Sequence, residues 1–156
     1  MRFQIILSAC VMMALLGCSR QRSSIESAVR ANDAHAVRAF IKGGSDFRRG
    51  SDGSDLVYLA TGPGGGTEVL RELLGAGASP DGLDSKSSYT PLMNAASWVS
   101  LEMCQQLIDA GADRSRIGEA IKVSGKASGS EKKVLDYLKS KMQKSQAEHV
   151  VGGNGG

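Results

Sequence analysis

Thr90-Pro91-Leu92-Met93-Asn94-Ala95-Ala96, followed after a short link by Leu101-Glu102-Met103-Cys104-Gln105-Gln106-Leu107-Ile108-Asp109-Ala110-Gly111-Ala112-Asp113, decides how this chain folds. The first string opens a helix. Pro91 suits a first-turn position, where a backbone amide has no partner to lose. The small Ala95 and Ala96 let that helix lie close against a neighbour. The second string is an outer helix running from Leu101 to Ala110, closed by the glycine at 111.

The same helix ending recurs. Ile41-Lys42-Gly43-Gly44-Ser45-Asp46 and Leu73-Leu74-Gly75-Ala76-Gly77-Ala78-Ser79 match it, and their glycines at 44, 77 and 111 stand 33 and 34 residues apart. That period and the Thr-Pro-Leu start resemble the ankyrin-repeat family. The resemblance covers Ile25 to about Met142. It implies an all-α solenoid of about four helix-turn-helix units, the first and last degenerate caps, within a repeat domain at 25–145. In such a stack each apolar helix face is covered by the neighbouring unit.

Outward from the third unit, the pattern predicts helices over Ile25–Ala31 and Ala34–Lys42 in the first, and Leu56–Thr61 and Thr67–Leu74 in the second. Thr67 is positioned to cap the latter. A fourth unit is predicted from Ile117–Val123 and a lysine-rich helix from about Ser130 to Lys141, whose polar face suits a terminal cap. A disordered Gly-rich tail is expected over 146–156. Two departures from the family pattern stand out in the third unit. Met93 replaces the usual histidine, so the hydrogen bonds that histidine makes between repeats are expected to be missing, and Val99 replaces a glycine, implying a different turn.

The N-terminus has another character. Met1-Arg2 is followed by an apolar stretch from Phe3 to Leu16 and then Leu15-Leu16-Gly17-Cys18. The stretch is short for a bilayer span, and the whole resembles a bacterial lipoprotein signal peptide. By that resemblance residues 1–17 are removed, Cys18 is lipidated, and 18–24 form a tether of at most roughly 20 Å. Ser19 after the cysteine resembles the pattern sent on to the outer membrane. The mature chain keeps 139 residues, with 18 basic against 16 acidic. That balance gives no electrostatic case for nucleic acid.

Catalytic and metal motifs are absent from the sequence. Gly62-Pro63-Gly64-Gly65-Gly66-Thr67 has the glycines of a phosphate loop but no following lysine and no preceding strand, and reads as a widened inter-helix turn. His35 and His149 have no thiol or carboxylate cluster around them, so no metal and no cofactor is expected. Cys104, the remaining thiol once Cys10 is cleaved off and Cys18 modified, occupies an apolar helix position and reads as buried.

By resemblance to the family, protein partners meet the loop tips and the inner-helix residues after the paired alanines. These match Lys86, Ser87 and Tyr89 on the tip of the third unit, and Ser97 and Trp98 on its helix. Corresponding places are Arg30 in the first unit, Asp52 and Asp55 in the second and Lys122 in the fourth, the second unit's register being open by one residue. Trp98, the only tryptophan, reads either as a contact or as packing against the Val99 turn. The expected function is protein binding without catalysis by a monomer facing the periplasm. Its architecture resembles immunity proteins that neutralise a secreted antibacterial effector; the alternative is an envelope scaffold supporting a resident enzyme such as an antioxidant catalase.

Overall fold

Helix starts in this chain are set largely by side-chain oxygens that take up orphan backbone amides. The structure, a computed structural model, describes residues 24–47, 55–82, 88–124 and 130–151. In chain order, Ser24 caps α1 (Ile25–Arg30), Asp33 caps α2 (Ala34–Lys42) and Asp55 caps α3 (Leu56–Ala60). The helix α4 (Thr67–Gly75) starts at Gly66, which offers no side-chain bond. Thr67, expected to cap that helix, is instead its first residue. Thr90 caps α5 (Pro91–Ser97), with Pro91 in the first turn, and Ser100 caps α6 (Leu101–Asp109). A 3-10 turn over Arg114–Arg116 leads into α7 (Ile117–Val123), and α8 (Ser130–Val151) ends the described chain.

The period read from the glycines is one repeated piece of backbone chemistry. Gly44, Gly77 and Gly111 all have positive φ, at 77, 89 and 93°. Each donates its N–H to the carbonyl three residues back, and the next residue donates to the carbonyl five back: Ser45 to Phe40 at 3.1 Å, Ala78 to Leu73 at 3.0 Å, Ala112 to Leu107 at 3.0 Å. This ends three outer helices identically, and a Cβ at any of the three would meet no atom within 4 Å. Backbone conformation, not crowding, therefore demands glycine there.

Helices of five to nine residues are too short to be stable alone, and packing supplies what propensity does not. The inner helices α1, α3, α5 and α7 stack in succession, and the outer helices α2, α4, α6 and α8 stack behind them. One continuous core runs between the layers, with Val29, Leu56, Leu70, Leu73, Leu107, Ile117 and Leu138 wholly buried. Apart from a single bridge residue at Asp55, the described residues carry no strand. The fold is thus the all-α two-layer solenoid that the spacing predicts.

Two expectations need correction. The last helix does not stop near Lys141 but stays helical to Val151, so the tail cannot begin as disordered chain at Gln146. Nothing between 130 and 151 breaks a helix, and Gly152 is the first stop signal after it. The Val99 turn is also not different: Val99 takes φ 58°, close to Asn32 at φ 53° in the first unit. It donates to Ala96 at 3.1 Å, while Ser100 donates to Ala95 at 3.1 Å, as Asn32 and Asp33 donate to Val29 and Ala28. The valine bears the strain of a glycine conformation rather than altering it.

Candidate protein-binding surface

The left-handed residues Asn32 and Val99 directly follow the C-caps of α1 and α5, and Gly64 lies in the widened turn three residues beyond the C-cap of α3. The residues just before them, Ala31, Pro63 and Trp98, are all exposed. In chain order they make an apolar row, one residue per unit, and its third member is by far the largest. Trp98 is 57 % exposed and is the one large hydrophobic side chain so placed among the described residues. More than half of its surface is therefore open to a partner. Covering the exposed part of the ring would release about 3 kcal/mol at most, from the usual area of an aromatic side chain. That is enough for a binding hot spot.

What holds Trp98 at the surface is its backbone. As the C-cap of α5 it donates to Asn94 O at 3.1 Å. Asn94 itself is buried, and its Nδ2 donates to Tyr58 O and to Thr61 Oγ1, both at 3.2 Å. Thr61 in turn donates its hydroxyl to Tyr58 O at 2.8 Å. This network ties the third unit to the second. Met93 is buried, and the inter-repeat hydrogen bonding expected to be missing is supplied one residue later by Asn94. An asparagine beside paired alanines was the available signal.

The other expected contact residues are scattered in role. Ser97 is exposed beside Trp98, its hydroxyl donating to Asn94 O at 2.8 Å. Arg30 and Lys122 are exposed at the equivalent ends of α1 and α7, and Arg30 meets Glu26 at 3.1 Å. Tyr89 is half-buried and packs against the core. Asp55 serves as a helix cap: its Oδ1 accepts from Val57 N at 2.8 Å and Tyr58 N at 3.1 Å. It is also walled by Gly82, where a Cβ would come within 2.0 Å of the carboxyl carbon. Asp55 therefore has a structural role as the cap of α3. Asp52, Lys86, Ser87 and the lipidation candidate Cys18 lie outside the described residues.

The glycine run between α3 and α4 has a packing explanation. A Cβ on Gly65 would stand 2.1 Å from Ala60 O, one on Gly64 2.7 Å from Arg30 O, and one on Gly66 2.1 Å from Asn32 Oδ1. The turn folds down on its own helix and on the first unit, and no room is left for side chains.

Titration follows local partners. Arg38 on α2 hydrogen-bonds Glu72 on α4, holding that carboxyl below its ordinary value, and Arg71 reaches Glu102 on α6 at 3.2 Å. Ser115, through its hydroxyl and its N–H, likewise lowers Asp113. Burial pushes the Cys104 thiol up to about 12. Among the described residues no group of three or more histidines, cysteines and carboxylates could hold a metal ion, and no helix is long and apolar enough to cross a membrane. A groove of about 460 Å³ lies between α2 and α4 on the outer layer. It stands away from Trp98, whose exposed position at an inner-helix end suits a macromolecule better than an enclosed small ligand.

The model for ankyrin repeats (3 copies) matches residues 25–116. No curated protein matches the chain.

Proposed function

The chain belongs to the ankyrin-repeat family, a family of protein-interaction modules, and from that premise we propose that it is a non-catalytic binding protein of the bacterial envelope. The observation that carries this reading is Trp98, held 57 % exposed at the end of an inner helix. A short-turned stack presents this side chain with little conformational entropy left to lose, which favours tight association. Its location rests on Leu15-Leu16-Gly17-Cys18, which supports lipidation of Cys18 and a domain close to the membrane surface, facing the periplasm.

In this reading the partner is a secreted antibacterial effector, neutralised as it reaches the envelope. Inhibition by masking requires a preorganised face and no chemistry, which is what the exposed inner-helix end offers.

The test is affinity capture from envelope extract and from mixtures with candidate effectors, using the chain from residue 19 onward with Trp98→Ala in parallel. Stoichiometric recovery of a hydrolase that disappears with the variant supports the proposal. Recovery of a resident envelope enzyme replaces the effector with a scaffolded partner, and recovery unaffected by Trp98→Ala moves the site elsewhere. Palmitate labelling checks the anchor: it is expected to vanish with Cys18→Ser and to survive Cys10→Ser.

A further inference from the structure

Charge is distributed unevenly in this chain. Residues 18–129 contain 13 basic and 13 acidic side chains and are neutral as a block, whereas residues 130–156 contain five lysines against three carboxylates. The whole excess of the mature chain thus falls on the segment that forms α8. Within that helix Val134, Leu135 and Leu138 are buried against the stack. Lys132, Lys133, Lys139 and Lys144 are exposed on the opposite side, with the exposed Asp136 among them. Lys132 and Lys139 stand seven residues apart and Lys133 and Lys144 eleven, which places the four on two adjacent rows of one broad helix face about 18 Å long.

Clustering sets these lysines apart: Lys42 and Lys122 also make no ion pair among the described residues, but they stand on different helices. Arg30, Arg38, Arg71 and Arg116 are each engaged by a glutamate. Lys132, Lys133, Lys139 and Lys144 have no partner among the described residues. Lys141, off that face, sits over the Tyr137 ring at 5.3 Å. Among the described residues, ion pairing therefore leaves this cationic strip without a partner, on the last helix of the described stack.

We infer that this α8 strip docks on an anionic bilayer surface, as a second attachment point beside the N-terminal anchor. Lysines are compact, hydrated charges that respond to a field of lipid phosphates without needing fixed bidentate geometry. The strip carries no arginine fork and no aromatic side chain on which a base could stack, which argues against nucleic acid. The inference rests on the anchor reading for bringing a bilayer within reach. Attachment at both ends of the stack would lay the solenoid along the membrane and fix the direction in which Trp98 is presented.

The experiment uses the full lipidated chain, reconstituted by detergent removal into vesicles of phosphatidylcholine alone or with phosphatidylglycerol. Amine acetylation is read by mass spectrometry at each lysine, with Lys42 and Lys122 as internal references. On anionic vesicles Lys132, Lys133, Lys139 and Lys144 are expected to react about fivefold more slowly than on neutral ones, with protection lost in high salt. Lysine reactivity equal on the two vesicle types overturns the inference, as does protection by an acidic protein or nucleic acid but not by vesicles. The anchor is scored separately by flotation with neutral vesicles. A chain that fails this step but floats with anionic vesicles, and ceases to when the four lysines are changed to glutamine, loses the anchor and keeps the strip.

Discussion

Val99 sits at φ 58° with a branched Cβ, a conformation that costs a residue of its type about 1–2 kcal/mol relative to glycine. Its side chain recovers part of that by packing against the core. Val99→Asn, which accepts the left-handed region as Asn32 already does, is therefore expected to stabilise the domain by about 0.5–1 kcal/mol and raise the thermal midpoint by a few degrees. A lower midpoint in calorimetry would show that the valine's packing outweighs its strain. Asn94 is the opposite case. Its amide fills two hydrogen bonds across a repeat boundary, and Asn94→Ala removes both while Tyr58 O keeps its bond from the Thr61 hydroxyl, at an expected cost of about 1–3 kcal/mol in urea unfolding. Asn94→Asp keeps the size while replacing the donor, so a loss at least as large separates hydrogen bonding from volume.

Elements here are joined by turns that are legible to different degrees. The glycine endings at 44, 77 and 111 and the Thr90-Pro91 start could be read directly, because each is a local device whose residue type states its geometry. Val99 misled for the complementary reason: local propensity disfavours the conformation that the stacked neighbours impose. Asn94 was hidden because its partners are 33 and 36 residues away, and their alignment depends on the widened Gly64–Gly66 turn. The far end of α8 was missed because apolar periodicity was followed instead of helix stops. The exposed positions of Trp98 and Ser97 could be read from their place in the repeat, while the capping role of Asp55 was not read because a cap and a loop-tip contact use the same residue type. Two glycine substitutions test this account of the turns. Gly65→Ala drives a methyl into Ala60 backbone and is expected to cost more than about 2 kcal/mol. Gly118→Ala, inside α7 with nothing within 4 Å of the new methyl, is expected to gain roughly 0.5–1 kcal/mol. Denaturant midpoints moving in the same direction would undo the distinction between glycines that make room and glycines that do not.

At the scale of the whole molecule, stability is a sum of units and the interfaces between neighbours, so opening begins at an end. The terminal helix α8 packs on α6 and α7, and Cys104 lies wholly buried on α6. Its thiol, raised to about 12, is almost entirely protonated near neutral pH, so a thiol reagent must wait for an opening. Because this acid is harder to ionise folded than unfolded, its linkage destabilises the fold as pH rises from the ordinary 9.0 towards about 12. Leu138, buried on α8 without touching the chemistry of the thiol, gives the control on the end of the stack. Leu138→Ala is expected to cost about 2–5 kcal/mol at that interface. If the end opens as a unit, Cys104 labelling at neutral pH rises by a factor of ten or more, while amide exchange in α2 and α4, at the other end of the stack, slows or quickens far less. Equal acceleration of exchange in α2, α4 and α6 would mean instead that the four units open together, and that the chain behaves as one cooperative block rather than a stack that frays.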